Sequence, residues 1–222
     1  MVSLILAQSA LEIVPKELEN HPSVTSYCEK YSKKPSETLL DISWHFAAMK
    51  GIKNEIMRGR PDLIHLALLS MCNTPLYARK KLQVYVHTIN DNVISLRNGV
   101  RPPKSYHRFQ GLIEKLFKNG NIESDNLTLL ELEHLTFEDL IKKIKPKILI
   151  GFSTQGENST FEKAAEIITD NSCIVIGGFQ KGHFSKEISK NFDHLKSLHE
   201  NSLETHVVSS RILYEYEKTI FM

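Results

Sequence analysis

Apolar residues in this chain fall in short runs whose spacing separates strands from helices. Val2, Leu4 and Leu6 alternate with their neighbours, which predicts an opening strand. Pro15 to Pro35 is polar and mixed, fitting a short helix and a surface loop. From Leu39 to Met57, Leu40, Trp44, Ala47 and Ala48 recur at three- and four-residue spacing with Asp41 in the first turn; this predicts a helix with Trp44 in the core. Pro61 opens a second helix, to about Cys72, at a position where its missing N–H costs nothing. That helix is nearly all apolar after Asp62 and is expected to be deeply buried. Leu82, Val84 and Val86 alternate with Gln83, Tyr85 and His87, and Asn90-Asp91-Asn92 turns the chain into Val93 to Leu96, so a β-hairpin is expected. Pro102-Pro103 leads rigidly into a helix from about Tyr106 to Phe117, which Asn119-Gly120 ends. Thr136 is placed to cap a helix from Phe137 to Ile144, stopped by Pro146. Lys147 to Phe152 and Cys173 to Ile176 read as buried strands, separated by a helix from the capping box at Ser159–Glu162 to about Thr169. The last helix, Leu203 to about Lys218, carries Val208, Ile212, Tyr216 and Ile220 four apart.

The stretch from Ile174 to Phe184, IVIGGFQKGHF, adds candidate chemistry to this pattern. A strand apolar on both faces, as in a parallel sheet, stops at Gly177-Gly178, where no Cβ blocks the approach of a ligand. Gly182 gives the returning chain a second such point. The carboxyl end of a central strand is where open α/β sheets hold cofactors, although a plain tight turn fits the same residues. At 222 residues, 41% hydrophobic and 24% charged, the chain suits one large folded domain and excludes disorder. The net charge of +2 means that a polyanion partner needs a local basic patch. Three well-separated cysteines (Cys28, Cys72, Cys173) suit free, buried thiols in a reducing cytoplasm. The apolar N-terminus lacks a basic leader, and no segment approaches the roughly 20 apolar residues of a membrane span.

Three constellations are candidates for function. Arg58-Gly59-Arg60-Pro61-Asp62 stands at the mouth of a buried helix, where guanidinium and free N–H groups converge on an anion; an ordinary ion pair at a helix start is the plainer reading. Arg101, Lys104 and Arg108 are interleaved with Tyr106, His107 and Phe109, which suits looped or single-stranded RNA, or a merely solvated face. The third is the glycine turn together with Leu198 to Leu203, LHENSL. No metal-ligand spacing, Walker loop or recognisable Ser–His–Asp context occurs, and no G-x-G-x-x-G follows a strand, which argues against an ordinary doubly wound nucleotide-binding enzyme. His45 and His87 are read as structural.

Seven pieces, in order, carry a resemblance: DISWHFAAM (41–49), RGRPDLIH (58–65), LQVYVHT (82–88), VRPPKSYHRFQGLIEKL (100–116), IGFS (150–153), GGFQKG (177–182) and LHENSL (198–203). Together they resemble the ribosome-biogenesis pseudouridine-N1 methyltransferases, a branch of the SPOUT (α/β-knot) class, in a compact archaeal form. The resemblance implies an α/β fold with a parallel sheet, a deep C-terminal trefoil knot and a hairpin-helix insertion at about 80–120 within a single domain, 1–222. It implies a homodimer that binds S-adenosylmethionine and acts in the cytoplasm, with no metal, on N1 of a pseudouridine in small-subunit rRNA. By motif, the cofactor would be held by Phe152, by Gly177, Gly178 and Gly182, and by Leu198, His199, Glu200, Asn201, Ser202 and Leu203, with Lys181-Gly182-His183 beside its methionine end. RNA contacts would fall on Arg60, Arg101, Lys104 and Arg108, and catalysis on Arg60 with Asp62 orienting it. Lys104 stands where many relatives have arginine and loses bidentate phosphate binding, and Ser202 stands where many have proline. A non-catalytic RNA-binding assembly factor is the alternative at this point.

Overall fold

Val2–Ser9 forms β1, and every residue of it except Gln8 is buried, so its two faces both lie in core. The computed structural model describes residues 1–221. After β1 come α1 (Pro22–Lys30), α2 (Ile42–Met49), α3 (Pro61–Met71), α4 (Pro75–Ala78), β2 (Leu82–Thr88), β3 (Asn92–Leu96) and α5 (Tyr106–Asn119). They are followed by β4 (Asn121–Ser124), β5 (Leu127–His134), α6 (Phe137–Ile144), β6 (Ile148–Asn158), α7 (Phe161–Glu166), β7 (Ser172–Gly177), α8 (Lys186–Ser189), β8 (His194–Ser197) and α9 (Thr205–Phe221). The strands make an eight-stranded sheet in the order β4-β5-β3-β2-β1-β7-β6-β8. β2, β1, β7, β6 and β8 are parallel, as expected for an α/β chain, while β3, β5 and β4 extend the sheet antiparallel.

Side chains alternate across β1. Leu4 and Leu6 enter a core with residues of α3, α5, α7 and α9 on one face, and Ile5 and Ala7 enter a second core with Phe137, Leu140 and Ile188 on the other. A third cluster lies under α1 and α2. The hairpin at 82–96 forms, and its first strand is built into the parallel sheet beside β1.

Several boundaries differ from the sequence expectation. The Leu39–Met57 helix stops at Met49, because Lys50 turns extended and Gly51 takes φ +83° before a 3-10 turn at Glu55–Met57. Asp41 precedes this helix as its cap, accepting from the Ser43 N–H at 2.9 Å. Trp44 is 43% exposed rather than core: α2 buries His45, Ala48 and Met49, and Trp44 rests on Tyr27 at 5.4 Å between ring centroids. α3 is buried except for outward-facing residues such as Leu66. Thr160, not Ser159, caps α7, which ends at Glu166. α9 begins at Thr205, leaving Leu203 in the preceding loop. His45 and His87 are buried, and each has Nδ1 accepting a backbone N–H.

β6 does not run straight along β8. Phe152 and Glu157 both register with Lys196, so residues 153–156 swing out of the ladder. Gly156 lets the strand return, because a Cβ there would lie 2.6 Å from backbone atoms of Leu195 and Lys196. Gly156→Ala is therefore expected to cost about 1–3 kcal/mol, read as a lower urea midpoint. Gly111→Ala, in α5 with nothing within 4 Å of the new methyl, is expected to raise stability by about 0.5–1 kcal/mol.

Candidate active site

Because β1, β6, β7 and β8 are parallel, their carboxyl ends emerge on one side of the sheet. A cleft of about 610 Å³, its open mouth included, lies there. The segment after Phe152 supplies Ser153 and Thr154, the loop after β7 supplies Gly177, Gly182, His183 and Phe184, and the loop after β8 supplies Leu198, His199, Asn201, Ser202 and Leu203. Eight of the ten residues assigned by motif to hold the cofactor thus meet around one space: Phe152, Gly177, Gly182, Leu198, His199, Asn201, Ser202 and Leu203. Ile176, Phe179, Thr205 and Val208 also line it. Of these, Phe179 falls within the GGFQKG motif and Val208 on the apolar stripe of the last helix, while nothing in the sequence marks Thr205, since a threonine in the first turn of a helix is ordinary.

Gly178 and Glu200 do not line the cleft. Gly178 faces β1, where a Cβ would fall 2.2 Å from the Ser9 Oγ and 2.8 Å from its Cα. Its N–H donates to the Ala7 carbonyl at 2.8 Å, and its own carbonyl accepts from the Ala10 N–H at 2.7 Å. Its lack of a side chain therefore allows two backbones to close on each other. Glu200 is exposed on the rim loop. That loop is shaped by short hydrogen bonds: Ser197 Oγ donates to the His199 carbonyl at 3.1 Å, and the Asn201 N–H donates to His199 Nδ1 at 3.0 Å. Thr205 Oγ1, in the first turn of α9, donates to the Gly177 carbonyl at 2.7 Å and ties the two loops together.

The arginine loop arrives beside the same cleft. Gly59 takes φ +64°, and the Arg60 N–H donates to the Ala10 carbonyl at 3.0 Å. Gly182, φ +114°, faces Met57, whose Sδ lies 3.5 Å from where a Cβ would stand. The two arginines of this loop have different surroundings. Arg58 is bidentate to Glu12, with Nε to Oε1 and Nη2 to Oε2 both at 2.7 Å, and Asn90 Nδ2 adds a bond to Glu12 Oε2 at 2.8 Å. The pair is buried, its side chains 10% and 2% exposed. Arg60 is bidentate to Asp62 at 2.8 Å through each oxygen, with both groups partly open to solvent. The Asp62 hydrogen bonds raise the Arg60 guanidinium further above its ordinary value. Burial alone would raise the Asp62 carboxyl, but the hydrogen bonds and charge of Arg60, with the Leu63 and Asp62 N–H groups, hold it below the usual carboxylate range.

Arg101, Lys104 and Arg108 do not enter the cleft; they are exposed and have no ion-pair partner among the described residues. Their segment is docked on α3 and on Asp41, the cap of α2. His65 Nε2 donates to the Pro103 carbonyl at 2.6 Å, its ring stacks on Phe109 at 4.5 Å, and the Tyr106 hydroxyl donates to the Asp41 carboxylate. Burial, then the bond to Asp41, pushes the Tyr106 hydroxyl well above the ordinary phenol range, so it stays a donor. Among the described residues no group of three or more His, Cys, Asp or Glu is placed to hold a metal ion, and no helix is long and apolar enough to cross a membrane.

This geometry separates the roles of the two arginines. Arg58→Ala leaves the buried Glu12 carboxylate without its cation and is expected to cost about 3–5 kcal/mol in thermal or urea unfolding. Arg60→Ala is expected to change stability by no more than about 1 kcal/mol, since its ion pair is partly solvated.

Comparison with known proteins follows the same lines. The family described as EMG1/NEP1 methyltransferase matches residues 4–217. The chain is 38% identical to the "Ribosomal RNA small subunit methyltransferase Nep1" of Staphylothermus marinus over 96% of this chain and 93% of that one. It is 38% identical to the protein of the same description in Thermococcus sibiricus over 99% of each. The crystal structure of Archaeoglobus fulgidus Nep1 bound to S-adenosylhomocysteine superposes with a TM-score of 0.87 at 31% identity, covering 97% of both chains. A glycine-lined cleft with an arginine loop at its side, in a fold shared over nearly the whole length, places this chain in the EMG1/NEP1 methyltransferase family.

Proposed function

We propose that the chain methylates N1 of a pseudouridine in small-subunit ribosomal RNA during ribosome biogenesis, with S-adenosylmethionine as donor. The observation that carries this reading is the cleft at the carboxyl ends of β6, β7 and β8, with Arg60 tethered beside it. The relatives from Staphylothermus marinus and Thermococcus sibiricus are described as small-subunit rRNA methyltransferases, and the Archaeoglobus fulgidus protein binds S-adenosylhomocysteine in its crystal. The lining fits such a ligand: Phe152, Ile176, Leu198 and Leu203 offer an apolar wall for a flat purine, and Ser153, Thr154, Asn201 and Ser202 offer polar groups for a sugar and an amino-acid end. Bound S-adenosylmethionine supplies an electrophilic methyl group on a sulfonium sulfur. Within this reading the chain is a single cytoplasmic domain that works as a homodimer. Its C-terminal part is threaded as a trefoil knot, and the 80–120 region is the insertion that carries the RNA-binding cations.

The residues divide the work. Pseudouridine is joined to ribose through carbon, so N1 is free, whereas in uridine that nitrogen is the glycosidic atom. Arg101, Lys104 and Arg108 bind the phosphates of a looped RNA, and the target base leaves its stack to reach the cleft. Arg60 stabilises the negative charge that grows on the base as the N1 proton leaves. Asp62 holds Arg60 through two hydrogen bonds and, with a lowered pKa, is a weak base; its task is orientation. Gly178 serves the cleft indirectly, by letting its loop close on β1.

Methyl transfer to a hairpin RNA containing pseudouridine is the direct test. Incorporation that disappears when uridine replaces pseudouridine supports the reading, and tight binding without incorporation overturns it. Gly177→Val is expected to abolish S-adenosylmethionine binding in calorimetry while the protein remains folded, because the new side chain points at the Phe179 ring inside the cleft. Arg108→Glu is expected to weaken RNA binding and to lower the salt slope of log K by about one per lost phosphate contact. An unchanged slope would put Arg108 outside the RNA path.

A further inference from the structure

Gln8 is the one residue of β1 that is not fully buried, and it holds a left-handed backbone, φ +49°, that a residue with a side chain seldom adopts. The cause is a bulge. Against β2, Leu6 registers with Val86 and Ser9 with Thr88, so Ala7 and Gln8 together stand opposite His87. The Gln8 N–H donates to His87 Nδ1 at 3.3 Å, and His87 Nε2 is 3.0 Å from Asp91 Oδ1. Since Nδ1 accepts, Nε2 carries the proton toward Asp91, and the buried ring braces the bulge from one side.

Bulges re-aim side chains next to functional sites. Here the re-aimed amide reaches across the sheet end, and Gln8 Oε1 accepts from the Ser185 N–H at 2.9 Å. Ser185 directly follows His183 and Phe184 of the cleft lining and precedes α8, whose first turn has no side-chain cap. The near end of the same loop is fixed by Ala7 and Ala10 to Gly178. One bulge therefore grips the cleft loop at both ends, and Gln8 is the far grip.

We propose that Gln8 is a positioning residue for the cofactor cleft: its side-chain carbonyl fixes the Ser185 end of the Gly178–Ser185 loop and so sets affinity for S-adenosylmethionine. The proposal rests on the reading of this cleft as the methyl-donor site. Because Ser185 offers an N–H, position 8 needs an acceptor of this length and nothing more. Gln8→Glu keeps that acceptor, and Gln8→Met keeps length and flexibility without it. Neither replacement is β-branched, so the backbone strain at position 8 stays comparable.

The experiment measures S-adenosylmethionine binding by calorimetry, amide exchange of the loop in the ligand-free protein, and thermal unfolding for the parent and both variants. Gln8→Met is expected to weaken binding about fivefold, the loss of one ordinary hydrogen bond, raising KM for S-adenosylmethionine with little change in kcat. Its Ser185 amide is expected to exchange faster than in the parent. Gln8→Glu should restore both within about twofold. Affinity for the RNA alone should be the same in all three, because Arg60 is tethered through Ala10 and not through Gln8. Unchanged binding in Gln8→Met, or equal losses in both variants at unchanged unfolding temperature, overturns the proposal. A parent protein that binds no S-adenosylmethionine instead overturns the reading of the cleft, and the proposal with it.

Discussion

Ala10 is hydrogen-bonded through both of its backbone groups, the N–H to the Gly178 carbonyl at 2.7 Å and the carbonyl to the Arg60 N–H at 3.0 Å. Those two partners belong to the cleft loop and to the arginine loop, segments more than a hundred positions apart in the chain. A side-chain contact between them would tolerate drift of the loops, whereas two backbone bonds to the same residue fix their separation to the length of that residue. Ala10 is completely buried, so neither bond competes with water and neither group has another partner to fall back on. The register of β1 in the sheet thereby sets where a ligand in the cleft lies relative to the guanidinium of Arg60. The glycine at 178 follows from this constraint: Ser9 is so close that any Cβ would push the loop off β1 and break the link.

What the sequence could announce depended on whether the signal was local. Alternation in 82–96, the cap at Thr136 and the glycine at 120 are decided within a few residues, and each is found in the fold. β4 and β5 lie in a stretch for which the sequence reading proposed nothing. Leu127–His134 is a charged, half-exposed strand next to the sheet edge, and its strand character comes from pairing with β3 and β4 rather than from a buried face. Trp44 misled for a related reason. Its spacing places it near the apolar positions of a helix, but α2 is only eight residues long and spends its inward face on His45, Ala48 and Met49. The cleft was legible because glycine pairs at strand ends and a matching order of motifs both point to it. Thr205 and Gln8 were not, since their parts depend on where distant loops meet, and no spacing along the chain encodes that.

Gly178 shows how a correct signal can be attached to the wrong cause. As one of two glycines ending a buried strand it reads as a contact for a ligand, and it is indeed required to be small. The neighbour that requires it is Ser9 of the adjacent strand and not the contents of the cleft. Gly177, whose space is limited by the movable ring of Phe179, is the one that faces inward.

The chemistry follows from how differently two arginines in one loop are used. Arg58 and Glu12 are buried and bidentate, and such a pair is worth little in net stability while being costly to break, so it fixes the shape of the loop. Arg60 gains its orientation from Asp62 but keeps contact with solvent. The same bonds that orient it lower the Asp62 pKa and make that carboxylate a poor acceptor of protons. A site arranged this way has given up a strong general base in favour of a fixed positive charge. Under the proposed reading, rate enhancement comes from placing the substrate nitrogen against the methyl donor and from stabilising charge on the base as its proton leaves. With a net charge of only +2 on the whole chain, attraction of the proposed RNA substrate falls to local groups, for which the exposed cations at 101, 104 and 108 are the candidates. Their segment is held to α3 and Asp41 by His65 and Tyr106, so the proposed RNA-binding cations and Arg60, which directly precedes α3, sit on one connected piece of structure.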